Sequence, residues 1–190
     1  DVGPGTAERL SARAEAIRAA LEREAPDVVE RFLLRMPRGY VLSVPLERVA
    51  SHVRLVATPV GAHEVRTHAS EGTREATYDL AVVATERPGL LSMIAGALSL
   101  AGLSVLTAQV FTTDDGVAVD LFEIEGAFET DVGEERWREF RTTLRKAIEG
   151  RLSLDHRVRE KRRHYPVPRR DVPVRVEVDW ARSFEAGFVR

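Results

Sequence analysis

The residues of this chain best placed for chemistry stand in one short stretch, Thr85-Glu86-Arg87-Pro88-Gly89-Leu90-Leu91. It follows a strand-like run and opens a helix-like run. The first amides of a helix have no partner inside it, and they point at whatever lies in front. The positive end of the helix dipole strengthens their pull on a carboxylate or phosphate. Pro88 suits the first helical position, where its missing N–H is not needed. Gly89 has no side chain, so a ligand could approach the backbone closely. The plainer reading is a turn that starts a helix. Other candidate groups are dispersed. His63 and His68 fall on opposite sides of one strand, a poor metal geometry. His156 and His164 lie in a basic stretch without a carboxylate cluster, so no metal site is expected. Ser92 and Ser99 have no histidine at a telling distance, and no hydrolase triad follows.

Composition narrows the classes. With 190 residues, 44% of them hydrophobic, the chain can build a packed core. A net charge of −2 argues against whole-chain affinity for nucleic acid or an anionic membrane. The chain has no cysteine. That excludes disulfides, thiolate metal sites and a cysteine nucleophile, and it fits a reducing cytoplasm. No apolar run approaches a membrane span, and there is no signal-peptide pattern at the start. Asp1 in place of Met, and a last segment from Ala186 to Arg190 that reads as a strand cut mid-course, suggest a piece of a longer protein.

The elements that must position the stretch can be read from periodicity. Thr6 to Glu24 is rich in helix formers, with Leu10, Ala14, Ile17 and Leu21 on one face. A second helix is expected from Pro26 to about Met36, broken by Pro37-Arg38-Gly39, and a third from near Pro45 carrying Leu46, Val49, His52 and Val53. His63 to Ala69 alternates loosely, as an edge strand would. Tyr78, Leu80, Val82 and Ala84 alternate in a strand. A helix from Pro88 to about Ala101 follows, with Leu90, Leu91, Ile94 and Leu98 on one side and Gly96 allowing close packing on a sheet. Gly102 ends it in a left-handed turn. A strand from Leu103 to Thr113 leads through the hairpin signal Asp114-Asp115-Gly116 into a strand from Val117 to about Glu125. That last strand is apolar on both faces, so either both are covered or a bulge sits near Leu121. Asp131 to Glu134 resembles a capping box ahead of a helix burying Trp137, Phe140, Leu144 and Ile148. The basic stretch Arg157 to Arg170 is expected to be a solvated linker, because a nucleic-acid surface would want interleaved aromatics and only Tyr165 is present. Val172, Val174, Val176, Val178 and Trp180 then alternate in a final strand. The order strand-helix-strand-strand-helix-strand predicts an α+β fold, a four-stranded antiparallel sheet with two helices on one face, the ferredoxin-like βαββαβ arrangement.

From Tyr78 to Trp180 this unit resembles the ACT domain, a small regulatory module that senses amino acids. Arg87-Pro88-Gly89-Leu90-Leu91 and Gly102-Leu103-Ser104-Val105 carry the resemblance. It implies a ligand at the loop between the first strand and first helix, often between two paired modules. The implied ligand-binding residues are Glu86, Arg87, Pro88, Gly89, Leu90, Leu91, Leu103 and Ser104. Glu86 would meet an ammonium and Ser104 would offer a hydroxyl. The plainer roles are a solvated carboxylate near a helix start and an ordinary turn residue. The family usually has Asp where Glu86 stands.

More closely, the chain resembles the C-terminal region of the bacterial PII uridylyltransferase/uridylyl-removing family, some of whose actinobacterial relatives adenylylate instead. Met36-Pro37-Arg38-Gly39-Tyr40 with Val49-Ala50-Ser51-His52 looks like the segment joining its hydrolase domain to its first ACT domain. Phe111-Thr112-Thr113-Asp114-Asp115-Gly116 and Asp120-Leu121-Phe122 look like the hairpin of that domain. The resemblance implies the tail of a hydrolase-type domain over 1–57 and a linker able to hold an edge strand over 58–77. An ACT domain over 78–180 would follow, with a basic insertion at 150–171, and 183–190 would open a second ACT domain. It also implies glutamine or another small amino acid as ligand, PII and a second ACT domain or another chain as partners, and Mg2+ only in the parent's catalytic domains. The nucleotidyltransferase Gly-Ser and Asp-x-Asp signature and the hydrolase His-Asp pair are missing here, so no catalytic residue is expected in this segment. An ACT module that only pairs chains, without a small ligand, is the alternative.

Overall fold

Two strands with apolar residues on both faces hold the centre of the sheet and decide what must cover it. The computed structural model describes residues 4–126 and 132–164. Four helices come first: α1 (Pro4–Ala20), α2 (Pro26–Arg35), α3 (Arg38–Ser43) and α4 (Leu46–Val56). Then follow β1 (Val65–Glu71), β2 (Thr77–Thr85), α5 (Leu90–Leu100), β3 (Leu103–Thr112), β4 (Val117–Gly126), α6 (Glu134–Ile148) and α7 (Leu154–His164). The strands form one antiparallel sheet in the order β1-β2-β4-β3. On one face Leu80, Val82, Ala84, Ala118, Phe122 and Ile124 pack with α5 and α6. On the other, Ala81, Val83, Val117, Val119 and Leu121 pack with the four N-terminal helices. Both faces of β4 are therefore covered, and the bulge lies instead on β3, between Val105 and Thr107. This is the α+β, ACT-type ferredoxin-like architecture.

The expected last strand, Val172 to Trp180, lies outside the described residues. Beside β2, the edge is held by β1. A tight connection closes that hairpin, with Gly72 N–H on Thr77 O at 2.8 Å and Thr77 N–H on Arg74 O at 3.2 Å. Arg66 fastens β1 to the end of α4, donating to the carbonyls of Leu55, Thr58 and Pro59.

Several local expectations change. Pro37-Arg38-Gly39 does end α2, but Pro37 also caps α3, its carbonyl accepting from Tyr40 N–H at 3.0 Å. α3 delivers Tyr40, which is 0% exposed, into the helical core. There Tyr40 stacks edge-on against Phe32 and Phe111, and its hydroxyl lies 2.7 Å from His52 Nδ1. The N-cap of α6 is Gly133, with no side-chain cap; Asp131 of the expected capping box lies outside the described residues. The basic stretch is not all linker. Residues 154–164 form α7, because Leu154 and Val158 give it an apolar side that lands on α5. Gly96 faces that helix rather than the sheet: a Cβ on it would stand 3.4 Å from Leu154 Cδ1. Lys161 Nζ then donates to Ser99 O and Leu100 O at 2.6 and 2.9 Å, closing the C-terminal end of α5.

Burial, then the nearby charges of His68 and Arg48, lowers the pKa of His52 to about 4. In the unfolded chain a histidine titrates near about 6.5. The stability held by neutral His52 is thus complete above that pH and is lost as pH falls toward 4. Between pH 7.5 and 4.5, urea unfolding of the wild type should lose on the order of 2 kcal/mol relative to His52→Asn; parallel curves for the two proteins would contradict the buried neutral imidazole. Gly96→Leu should lift α7 from α5 and quicken trypsin cleavage within α7 about fivefold or more, and unchanged cleavage would show that the close approach is unimportant.

Candidate functional site

The corner after β2 is built by a reversal of backbone direction. Gly89 has φ 82° and ψ 5°, the left-handed region that glycine enters without strain. Pro88 precedes it, and Leu90 N–H reaches Arg87 O at 3.2 Å, a type II turn. The helix therefore starts at Leu90, and Pro88 sits before the cap rather than at the first helical position. Leu90 N–H and Met93 N–H have carbonyl partners, while the amides of Leu91 and Ser92 have none among the described residues. A Cβ on Gly89 would meet no atom within 4 Å, so the corner is open.

Each expected residue finds a distinct place. Glu86 is exposed; its carboxylate accepts from Arg87 N–H at 2.9 Å and from Thr112 Oγ1 at 3.2 Å. Arg87 turns away from the corner and donates to Ile148 O at 3.0 Å and to Ala62 O, which ties the loop to the end of α6. Leu90 is buried in the sheet–helix core and can offer a ligand only its backbone. Leu91, expected on the inner side of the helix, is 45% exposed and stands at the corner. Leu103 and Ser104 pair with Gly126 and Glu125, at the end of the sheet opposite Thr112 and Ala118. Ser104 and Thr112 are eight positions apart along β3, about 26 Å of strand. A single module thus brings Glu86, Gly89 and Leu91 together but leaves Ser104 far away.

Among the described residues, β3 has no neighbour on its outer side. Val105, Leu106 and Val110 along it are exposed, Val110 at 48%. Asp120, beside Val110 on β4, was legible as part of a hairpin but not as a site residue. It is 1% exposed, and its Oδ1 has no hydrogen-bond partner. Burial first, and then the Glu86 carboxylate, raises its pKa to about 7. The signal available in the sequence was an acidic residue inside a strand that is apolar on both faces.

A hollow of about 280 Å3 opens elsewhere, on the other face of the sheet between α4 and the β1–β2 pair. It is lined by Arg48, Ser51, His52, His68, Ser70 and Asp79, with Arg48 and Asp79 joined at 2.6 Å. Among the described residues no group of three or more His, Cys, Asp or Glu could hold a metal ion. No helix among them is long and apolar enough to cross a membrane.

Comparison with known proteins bears on the family and the fold. Residues 78–141 match the ACT domain family. Over 154 residues, 80% of this chain, the sequence is 31% identical to the bifunctional uridylyltransferase/uridylyl-removing enzyme of Rhodopseudomonas palustris. It is 30% identical to the corresponding enzyme of Nitrobacter winogradskyi over 150 residues, 78% of the chain. The enzyme of Bradyrhizobium sp. strain BTAi1 is 31% identical, also over 150 residues. The matched segment is only 17% of the first relative and 16% of the other two, so the chain spans about one sixth of their length. This chain carries an ACT domain and is similar, over most of its length, to the ACT-containing region of bifunctional uridylyltransferase/uridylyl-removing enzymes.

Proposed function

We propose that this chain is the amino-acid-sensing region of a larger bifunctional enzyme that modifies and demodifies the PII signalling protein, with glutamine as the sensed ligand. The observation that carries the reading is the open corner at Gly89, where two unpartnered amides, an exposed carboxylate and a bare glycine meet. A zwitterionic amino acid complements that set, its carboxylate on the helix start and its ammonium on Glu86. Residues 1–57 are the tail of the preceding hydrolase-type domain and 183–190 the opening of a second ACT domain. The catalytic groups, and any Mg2+ they use, belong to domains outside this chain, whether the group transferred is uridylyl or adenylyl. The work is done in the cytoplasm, where PII would be met.

Pairing supports the ligand reading rather than competing with it. Were two ACT modules to join their β3 edges antiparallel, the start of one strand would lie beside the end of the other. Ser104 of one module would then approach Glu86 of the next, closing the separation of about 26 Å within one module. Sensing is then a free energy shared between the seam and the catalytic domains. The exposed apolar side chains of β3 favour a second reading, in which the module pairs with another module or chain and no small ligand takes part. Sedimentation with and without glutamine separates the two, since only the first ties pairing to ligand.

Calorimetric titration of L-glutamine into a protein carrying both ACT modules should show saturable heat, and Glu86→Gln should weaken binding about tenfold; absence of heat, with no shift in thermal midpoint, would remove the sensor. Gly89→Ala should destabilise the fold by about 1 kcal/mol through its left-handed backbone alone, measured by urea unfolding, and an unchanged midpoint would contradict that turn.

A further inference from the structure

Asp120 has no structural role that its surroundings explain. Alternation along β4 turns it to the same side as Ala118, Phe122 and Ile124, the side packed under α5. Its cross-strand neighbours are Val82 and Val110. Val82 is buried in the core, and Val110 is nearly half exposed, so Asp120 stands where the core under α5 gives out onto the open edge. The Glu86 carboxylate is near enough to act on its charge and accepts from Thr112 Oγ1, two residues after Val110 on the same face of β3. Among the described residues no cation is paired with either carboxyl. α5 has no charged side chain, and Arg87 is directed to carbonyls on the far side of the loop. Buried carboxyls without partners are rare, and an apolar residue would serve the fold better.

We propose that Asp120 is the floor of the ligand corner and that its carboxylate joins that of Glu86 in receiving the α-ammonium of the bound amino acid, while the ligand's carboxylate faces the amides of Leu91 and Ser92. The inference rests on the sensor reading given above. An ammonium suits the place better than a metal ion, since among the described residues no three candidate ligands converge. The two carboxyls and the two amides together match the charge pattern of an amino acid, which neither a simple anion nor a simple cation would satisfy.

The proton balance follows. Without ligand Asp120 is largely protonated below pH 7, because burial and then Glu86 disfavour its charge. Glu86 is the charged group that acts on it; β2, β3 and α5 set only Val82, Val110 and uncharged side chains against it. When the ammonium arrives, the O–H bond of Asp120 breaks, its proton passes to buffer, and the carboxylate pairs with the ligand. Affinity therefore rises with pH up to about 7 and levels off above it.

The test is calorimetry of L-glutamine binding to the full-length parent, in buffers of different ionisation enthalpy. The expected result is close to one proton released per ligand at pH 6 and almost none at pH 8.5. Asp120→Asn should release no proton and bind glutamine about tenfold to a hundredfold more weakly, while its thermal midpoint at pH 8 stays at or above that of the wild type. A wild type that binds glutamine without releasing a proton, or an Asp120→Asn protein that binds equally well, would overturn the role of Asp120 and leave the sensor standing. A wild type that does not bind glutamine at all would overturn both.

Discussion

Everything in this chain depends on the pairing of β2 with β4. Each strand is apolar on both sides, and in that register Leu80, Val82 and Ala84 face one layer while Ala81 and Val83 face the other. Neither side can be left to water. One is covered by α5 and α6, the other by the four N-terminal helices, and the helical segment is thereby joined to the ACT sheet through a shared core. The edge strands are treated unequally. β1 is held by its hairpin and by Arg66, whereas β3 keeps exposed apolar side chains and, among the described residues, an unpaired outer edge. An unmanaged edge of this kind is a place where another chain adds.

That asymmetry links the scaffold to the site. The corner at Gly89 sits at one end of the sheet and Ser104 at the other, on the strand that has no outer neighbour among the described residues. A module of this shape keeps Glu86 and Ser104 at opposite ends of the sheet. Polar groups are buried on both faces of the sheet. Tyr40 and His52 satisfy one another beneath the helices, and Arg48 answers Asp79 between α4 and β2. Among the described residues, the buried side-chain atoms without a partner are Asp79 Oδ1, Arg87 Nε and Asp120 Oδ1, and of these Asp120 is the carboxyl beside Glu86.

Much of this was legible from residue order. The alternation of Tyr78 to Ala84, the hairpin signal Asp114-Asp115-Gly116 and the apolar face of Trp137, Phe140, Leu144 and Ile148 each led to the element observed. What was not legible came from contacts distant in sequence. Pro37 reads locally as a breaker, and only the docking of Tyr40 shows that it also starts α3. Leu154 and Val158 look isolated in a basic run until α5 supplies a surface containing Gly96. The corner itself was legible as a turn ahead of a helix. The outward turn of Arg87, the exposure of Leu91 and the distance to Ser104 were not, because sheet register sets them and spacing does not.

If one small molecule joins the start of α5 to the edge of a paired β3, amide hydrogen exchange on the full-length parent, with and without saturating L-glutamine, reports it most directly. The amides of Leu91 and Ser92 and those of β3 from Ser104 to Val110 should become slower to exchange together, over the same ligand concentrations. Protection at neither place, or at β3 with glutamine absent and no further change at the helix start, would contradict it.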